Sequence, residues 1–389
     1  MPKKILIVVA SSLFIATLAL AQNQQLKITT PKDKYLHYEL VPISVRLATE
    51  DSNETNLPEK ITARVLRDEK PVTTIGQIKE VTLRYNYSTK TWEGQWPVPW
   101  NAPVDTYTIE VDSCPVNNFV PVKCQFEIAR RQPPEMKSNL YILTLESTSE
   151  LKSMRIPSPE GREGNWEQII AWAKFIGADT IWYIGGQTAG WTGKLDEDFP
   201  WNKSNFAMLP KLAEEAHRNG LKLGVWVAGY LTFGKKEFRV QKYTYAYNYD
   251  EKRDACLPTA RTISLTDKKR KQDIINFIKK AAEIPGVDYV GIDYIRNAFG
   301  GYEMVDAFIA EMRPKLPSDP SLGSISGRMK WLAKKVIKRD DPILIEQWNW
   351  WRAHYVAQNV LKDIVDKCDV KQPLWVFTLS WEKGWQHGQ

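Results

Sequence analysis

Residues 287 to 296 read V-D-Y-V-G-I-D-Y-I-R, a β-branched and aromatic run interrupted by two carboxylates. Such a run suits a strand buried on both faces, as in parallel sheets covered by helices. Alternation puts Tyr289, Gly291 and Asp293 on one face and Asp288, Val290 and Ile292 on the other. Asp293 comes late in the run, with Gly300-Gly301 and a new helical pattern after it. That is the carboxyl end of the strand, where β/α barrels build their active sites. A carboxylate buried alone is costly, so Asp293 needs a partner, and Arg296 is near enough in sequence to be one. Asp293 is therefore either a structural ion pair or loop cap, or a catalytic carboxylate.

The rest of the chain divides around that strand. From residue 22 to 130 short segments alternate apolar and polar residues, among them VPISVRLAT, KITARVLRD and DTYTIEVDS. Turn-rich stretches separate them, and about seven strands at this spacing predict a β-sandwich. Residues 131–137, with Pro133 and Pro134, read as a linker. From 138 to 389 buried strands alternate with amphipathic helices: NLYILTLES, ADTIWYIGG, LKLGVWVAGY, the Val287 strand and QPLWVFTLSWE. This is parallel α/β grammar with right-handed crossovers. No G-x-G-x-x-G or phosphate-loop spacing follows the first strand, so the expected fold class is multidomain: an all-β sandwich followed by a (β/α)8 TIM-type barrel. Only five barrel strands are legible, which predicts a barrel incomplete at its C-terminus.

Lys3-Lys4, the apolar run from Ile5 to Leu20 and Ala19-Leu20-Ala21 ahead of Gln22 have the form of a secretory signal over residues 1–21. The run is shorter than the ~20 residues of a spanning helix. The expectation is a secreted or periplasmic protein with no stable membrane span after cleavage. Cys114 and Cys124 lie close enough in a strand-rich stretch to close a small disulfide loop, and pairing of Cys256 with Cys368 is a further option. The net charge of +7 is spread along the chain. Runs such as Lys268-Lys269-Arg270-Lys271 fall on helical patterns and read as solvated faces, with no basic stripe for nucleic acid.

Sixteen Trp and sixteen Tyr exceed what an ordinary core needs, and flat apolar rings at loop ends suit pyranose faces. The strand ends supply polar groups beside them. Thr144 and Glu146 share a face at the end of the first strand. On the fifth, Thr378, Ser380 and Glu382 are expected to face the barrel mouth, with Phe377, Leu379 and Trp381 toward helices. Paired carboxylates over an aromatic cleft suit glycoside hydrolysis, in which one carboxyl protonates the leaving oxygen while the other attacks or activates water. Asp293 and Glu382 form the expected catalytic pair. Glu146, Tyr183, Trp191, Trp226, Arg296, Trp381 and His387 are the expected carbohydrate contacts. The four His residues are scattered, so no metal site and no cofactor are expected.

The segment VDYVGIDYIR resembles the strand-four signature of the glycosyl-hydrolase-like family ten barrels, V-D-G-I-H-L-D-Y-I-R-Y-P, through Asp288, Asp293, Tyr294, Ile295 and Arg296. LPTARTISLTDKKRKQDIINFI resembles the approach to that strand, and Trp351, Arg352 and Val356 resemble the family's W-R-R-x-x-V helix. Tyr289 stands where the family has Gly, Gly291 where it has His, and Asn297-Ala298 where it has Tyr-Pro. The N-terminal module resembles the immunoglobulin-like, macroglobulin-type modules of bacterial exported proteins, through DKYLHYELVPISVRL, WEGQW, NAPVDTYTIEV and FEI. These resemblances imply a polysaccharide- or glycan-acting barrel behind a spacer module. The rival expectation is a non-catalytic carbohydrate-binding or cell-surface assembly protein of the same architecture.

Overall fold

The computed structural model describes residues 26–37, 39–48, 57–72, 80–99, 102–113, 121–130, 140–146, 150–189, 198–234, 239–296 and 300–378. In the N-terminal part the strands are β1 (Leu26–Thr29), β2 (Lys34–Tyr35), β3 (Leu40–Leu47), β4 (Lys60–Arg67), β5 (Lys70–Pro71), β6 (Glu80–Asn86), β7 (Thr91–Pro97), β8 (Asp105–Ser113) and β9 (Val122–Ile128). They pair in the order β1-β3-β7-β6-β4-β8-β9-β2, with β5 on β4. Alternation buries one face: Val41, Ile43 and Val45 of β3 meet Ile61, Ala63 and Val65 of β4 in a single core. Trp96 of β7 lies 6.0 Å from Tyr107 of β8 and 5.9 Å from Phe126 of β9. Strand β8 is three places from β7 in the pairing order, roughly 14 Å along a flat sheet. The sheet must therefore curl over its own apolar face. Pairing is continuous, where two separately bonded sheets were expected.

The second sheet has a parallel path of five strands, β10 (Ile142–Leu145), β11 (Thr180–Ala189), β12 (Lys222–Phe233), β15 (Tyr289–Asp293) and β16 (Leu374–Val376), paired in that order. An antiparallel hairpin of β13 (Tyr245–Asp250) and β14 (Ala255–Ile263) extends from the end of β12. The helices are α1 (Gln168–Phe175), α2 (Lys203–Ala207), α3 (Leu209–Arg218), α4 (Lys268–Ala282), α5 (Val305–Met312), α6 (Ile325–Lys338), α7 (Pro342–Tyr355) and α8 (Lys362–Cys368). A π-helical turn, Val356–Leu361, joins the last two. Among the described residues β10 and β16 do not pair with each other, so the five strands form an arc and a closed barrel is not seen.

The alternation in VDYVGIDYIR has the predicted effect. Val290 and Ile292 join Leu223, Val225 and Val227 of β12 and Ile181 of β11 in the core under the helices. Tyr289 packs against a second, smaller cluster on the opposite face with Trp182, Ile184, Trp226 and Ala228. The two sheets touch directly. The indole N–H of Trp350 on α7 donates to the Val98 carbonyl at 2.7 Å, and Arg313 donates to the Glu93 carbonyl at 3.2 Å. No helix among the described residues is long and apolar enough to cross a membrane. Cys124, Cys256 and Cys368 are free thiols, so the suggested Cys256–Cys368 bridge is absent. Cys114 lies outside the described residues.

Glu303 fastens the hairpin to the helical layer. Its two carboxyl oxygens accept from Ser264 Oγ and the Tyr247 amide, each at 2.7 Å. Burial outweighs these bonds and pushes its carboxyl above the ordinary value of 4.5. A carboxyl whose folded value is raised favours the native state below the unfolded value and loses that contribution as pH rises through the folded one. Relative to Glu303→Gln, wild type should therefore be increasingly disfavoured as pH rises above 4.5. Urea denaturation of both proteins across acid and neutral pH measures this, and parallel pH profiles would contradict it.

Candidate functional site

Asp288 and Asp293, at opposite ends of one strand, have different surroundings. Asp288 Oδ2 accepts from the Leu223 amide and pairs with His217 Nε2, each at 2.8 Å, which fastens the amino end of β15 to β12 and α3. Asp293 closes the carboxyl end. Its Oδ1 accepts from the Tyr294 amide at 2.5 Å and from Arg296 Nη1 at 3.3 Å. Among the described residues Oδ2 accepts no hydrogen bond. The side chain is 12% exposed, so one oxygen is held while the group stays within reach of the rim.

The backbone turns sharply just after it. Tyr294 has φ 55°, in the left-handed region, where an aromatic residue is strained by roughly 1–3 kcal/mol. Its carbonyl accepts from the Tyr230 amide at 2.9 Å, which ties the turn to β12. Its ring stacks 6.5 Å from Trp226, meets the edge of Phe233 at 6.2 Å and carries the Arg296 guanidinium 4.8 Å above it. Burial first, then the charges of Glu146 and Asp293, push the Tyr294 hydroxyl above its ordinary value of 10.0. Glu146 is exposed immediately after β10, so these two carboxylates act on one phenol from the same end of the parallel sheet.

Behind the rim, the inner face is filled by rings. Trp182 lies 5.6 Å from Trp375, 5.4 Å from Phe377 and 6.0 Å from Tyr289. Gly224 and Gly291 on the two neighbouring strands make room for it. A Cβ at Gly291 would come 2.6 Å from the Trp182 ring, and one at Gly224 would also collide with it. The departure from the family His at 291 thus has a steric cause: the space is occupied by an indole. Phe377 also faces this interior, beside Trp226 at 5.7 Å. The fifth strand is therefore turned over relative to the expected register, which put Phe377 toward the helices. A one-residue shift of a strand exchanges its two faces.

Of the expected contact residues, Arg296 is found on Asp293, Glu146 at the rim and Trp226 inside, 1% exposed, under Tyr294. Tyr183 is corrected. It is fully buried in the core under the helices, because β11 already spans Thr180–Ala189 and Tyr183 alternates away from Trp182 and Ile184. Glu382, Trp191, Trp381 and His387 lie outside the described residues.

The largest surprise is Arg270, expected on a solvated face and in fact fully buried. Asp267 caps α4 by accepting from the Arg270 amide at 2.7 Å, and the guanidinium reaches back to the end of β12. It donates to the Gly229 carbonyl, to the Ala228 carbonyl at 2.9 Å and to Thr188 Oγ1 at 2.8 Å, and it stacks 4.2 Å over Trp201. Ala228 is the register partner of Asp293. Register shifts in β11 at Gly186 loosen the strand pairing here, as bulges beside functional sites do. Arg270 supplies the donors that hold the ends. Sequence reasoning also missed Gln187. Thr188 meets Arg270 on the helix side, so alternation turns Gln187 inward, where it is fully buried with neither amide atom hydrogen-bonded. The indole N–H groups of Trp182 and Trp226 are likewise buried without acceptors. Among the described residues no group of three or more His, Cys, Asp or Glu side chains is placed to hold a metal ion.

No family model matches the sequence, and no curated protein matches it. Among solved structures, an alpha-galactosidase from Thermus thermophilus in complex with stachyose aligns at 11% identity over 60% of this chain and 50% of its own, with a TM-score of 0.28. The alpha-galactosidase from Lactobacillus brevis aligns at 9% identity over 87% of this chain and 40% of its own, also at 0.28. Salmonella alpha-2-macroglobulin reacted with methylamine aligns at 15% identity over 31% of this chain and 8% of its own, at 0.24. The chain thus spans half or less of the length of these three structures, and at such scores the likenesses carry no weight for fold or activity.

Arg270→Met keeps the bulk of the side chain but leaves the carbonyls and hydroxyl it serves without donors, at about 1–3 kcal/mol each. The variant should lose about 3 kcal/mol or more of unfolding free energy in denaturant titration. Lys269→Met, exposed on the same helix, should stay within about 0.5 kcal/mol of wild type.

Proposed function

We propose that this chain is an exported carbohydrate-acting protein of the glycoside hydrolase type, whose five parallel strands belong to a (β/α)8 barrel. The observation that carries the reading is Asp293: a rim carboxylate on the aromatic face of the sheet, one oxygen fixed by Tyr294 and Arg296 and the other unengaged. A carboxylate beside a cation suits the nucleophile or general base of glycoside cleavage, whereas the proton donor of such a pair sits in apolar surroundings. Arg296 holds the attacking oxygen's partner in place, so the free oxygen keeps a set direction. The buried indole N–H groups and the Gln187 amide supply unmet hydrogen-bonding capacity behind the rim, of the kind a polyhydroxylated ligand meets.

Two residues compete for the second carboxyl. Glu382 is the residue expected from the fifth strand. Glu146 has positional support, because it acts with Asp293 on the Tyr294 hydroxyl. A separation of ~5 Å between the carboxyls would give retention and ~6.5–9.5 Å inversion. The Asp293–Arg296 ion pair also favours a second reading, a non-catalytic carbohydrate binder in which the carboxylate only braces the loop.

The test is hydrolysis and binding of a broad glycan panel by wild type, Asp293→Asn, Glu146→Gln and Glu382→Gln. The hydrolase reading expects Asp293→Asn to lower kcat/KM by about 10²–10⁴-fold with glycan affinity kept within a few-fold. Whichever of the two Glu variants falls as far identifies the second carboxyl. Glycan binding by wild type without any turnover would select the binder instead, and loss of neither property in Asp293→Asn would remove this residue from the site.

A further inference from the structure

A cavity of about 540 Å³ opens in the helical layer, between the last turn of α6, most of α7 and the end of β13. Its lining shares no residue with the Asp293 rim, and its size falls among sites that enclose small organic ligands. One wall is apolar, made by Val336 and Ile337 of α6 and by Pro342 and Ile345 of α7. The other end is polar and built from buried groups. Arg352 is 4% exposed and Asn349 5%. Arg352 Nη2 donates to Asn349 Oδ1 at 2.9 Å, and the guanidinium lies 5.3 Å over the Trp348 ring. Those two contacts give the guanidinium a set orientation at the cavity end. Such a fork suits a carboxylate, which it can meet through two parallel hydrogen bonds.

The charges that line the space are Arg339, Arg352 and Glu346, two positive and one negative, so the ionised lining has a net charge of +1. The hairpin side is fastened before any ligand arrives. Asp254 accepts from the Tyr249 hydroxyl and pairs with Lys330 and Lys334 of α6, the latter at 2.8 Å. A preformed, mostly apolar cavity with one polar end and an excess of one positive charge selects a particular chemistry. We propose that it binds a small amphipathic monoanion, with a carboxylate on Arg352 and Asn349 and an apolar body along Ile337 and Ile345. This does not depend on the carbohydrate reading of the rim.

Isothermal titration of the full chain with octanoate, against its uncharged counterpart octanamide, tests the idea. Saturable one-to-one octanoate binding is expected, with octanamide at least about tenfold weaker, the change for losing one charge-assisted contact. Asn349→Asp, which sets a second carboxylate beside Arg352, should weaken octanoate by about tenfold or more. Ile345→Trp should fill the space and abolish binding. If that protein does not fold, Ile337→Trp on the half-exposed wall takes its place. Absence of saturable octanoate binding to wild type overturns the proposal. So does equal affinity for the amide, or full binding by the folded cavity-filling variant.

Discussion

The geometry of the rim depends on one buried cation. Arg270 enters from α4 and donates to backbone carbonyls at Ala228 and Gly229, where strand pairing between β11 and β12 has slipped. Carbonyls freed by a bulge and buried away from water need donors, and a planar guanidinium can serve several at once. Among the described residues no carboxylate pairs with it; its surroundings are carbonyls, hydroxyls and the faces of Trp201 and Tyr243. Ala228 in turn sits beside Asp293, and the Tyr230 amide holds the strained turn at Tyr294. A helix, a bulged strand and the candidate carboxylate are thus joined through one side chain.

The interior behind the rim follows from a second constraint, the volume of Trp182. An indole there requires glycine on both flanking positions, which excludes a polar side chain at 291. The chemistry available to the site is consequently moved outward, to Asp293, Arg296, Tyr294 and Glu146. The same strand carries Asp288 at its other end, bonded to His217 and a backbone amide, where it fastens neighbouring elements together. Parallel strands direct their carboxyl ends the same way, so Asp293 gathers with other strand-end groups while Asp288 does not.

Much of this was legible in the residues. The seven alternating segments before residue 130 are strands, and the helix–strand grammar after 138 yields a parallel sheet. What escaped was the hairpin Tyr245–Ile263, whose segment YAYNYD lacks a strong apolar period and is held by Glu303 and Asp254 on distant elements. Tyr183 was placed in a loop because ADTIWYIGG ends in two glycines, yet the strand continues through them to Ala189. The reversed facing of Phe377 had no local signal either. QPLWVF is apolar on both parities, and only the indole of Trp182 across the sheet selects which parity turns inward.

The residue pattern alone determined which segments are strands and helices, and that Asp293 ends a buried strand on the face opposite Val290 and Ile292. Periodicity is a local property, set by alternation along a strand and by the helical turn. Tertiary structure alone decided that the N-terminal sheet curls into one continuous path, that Arg270 is buried in an otherwise solvated basic run, and that Glu146 and Asp293 act on the same phenol. Each of those depends on which distant groups share a space, and sequence period carries no information about that.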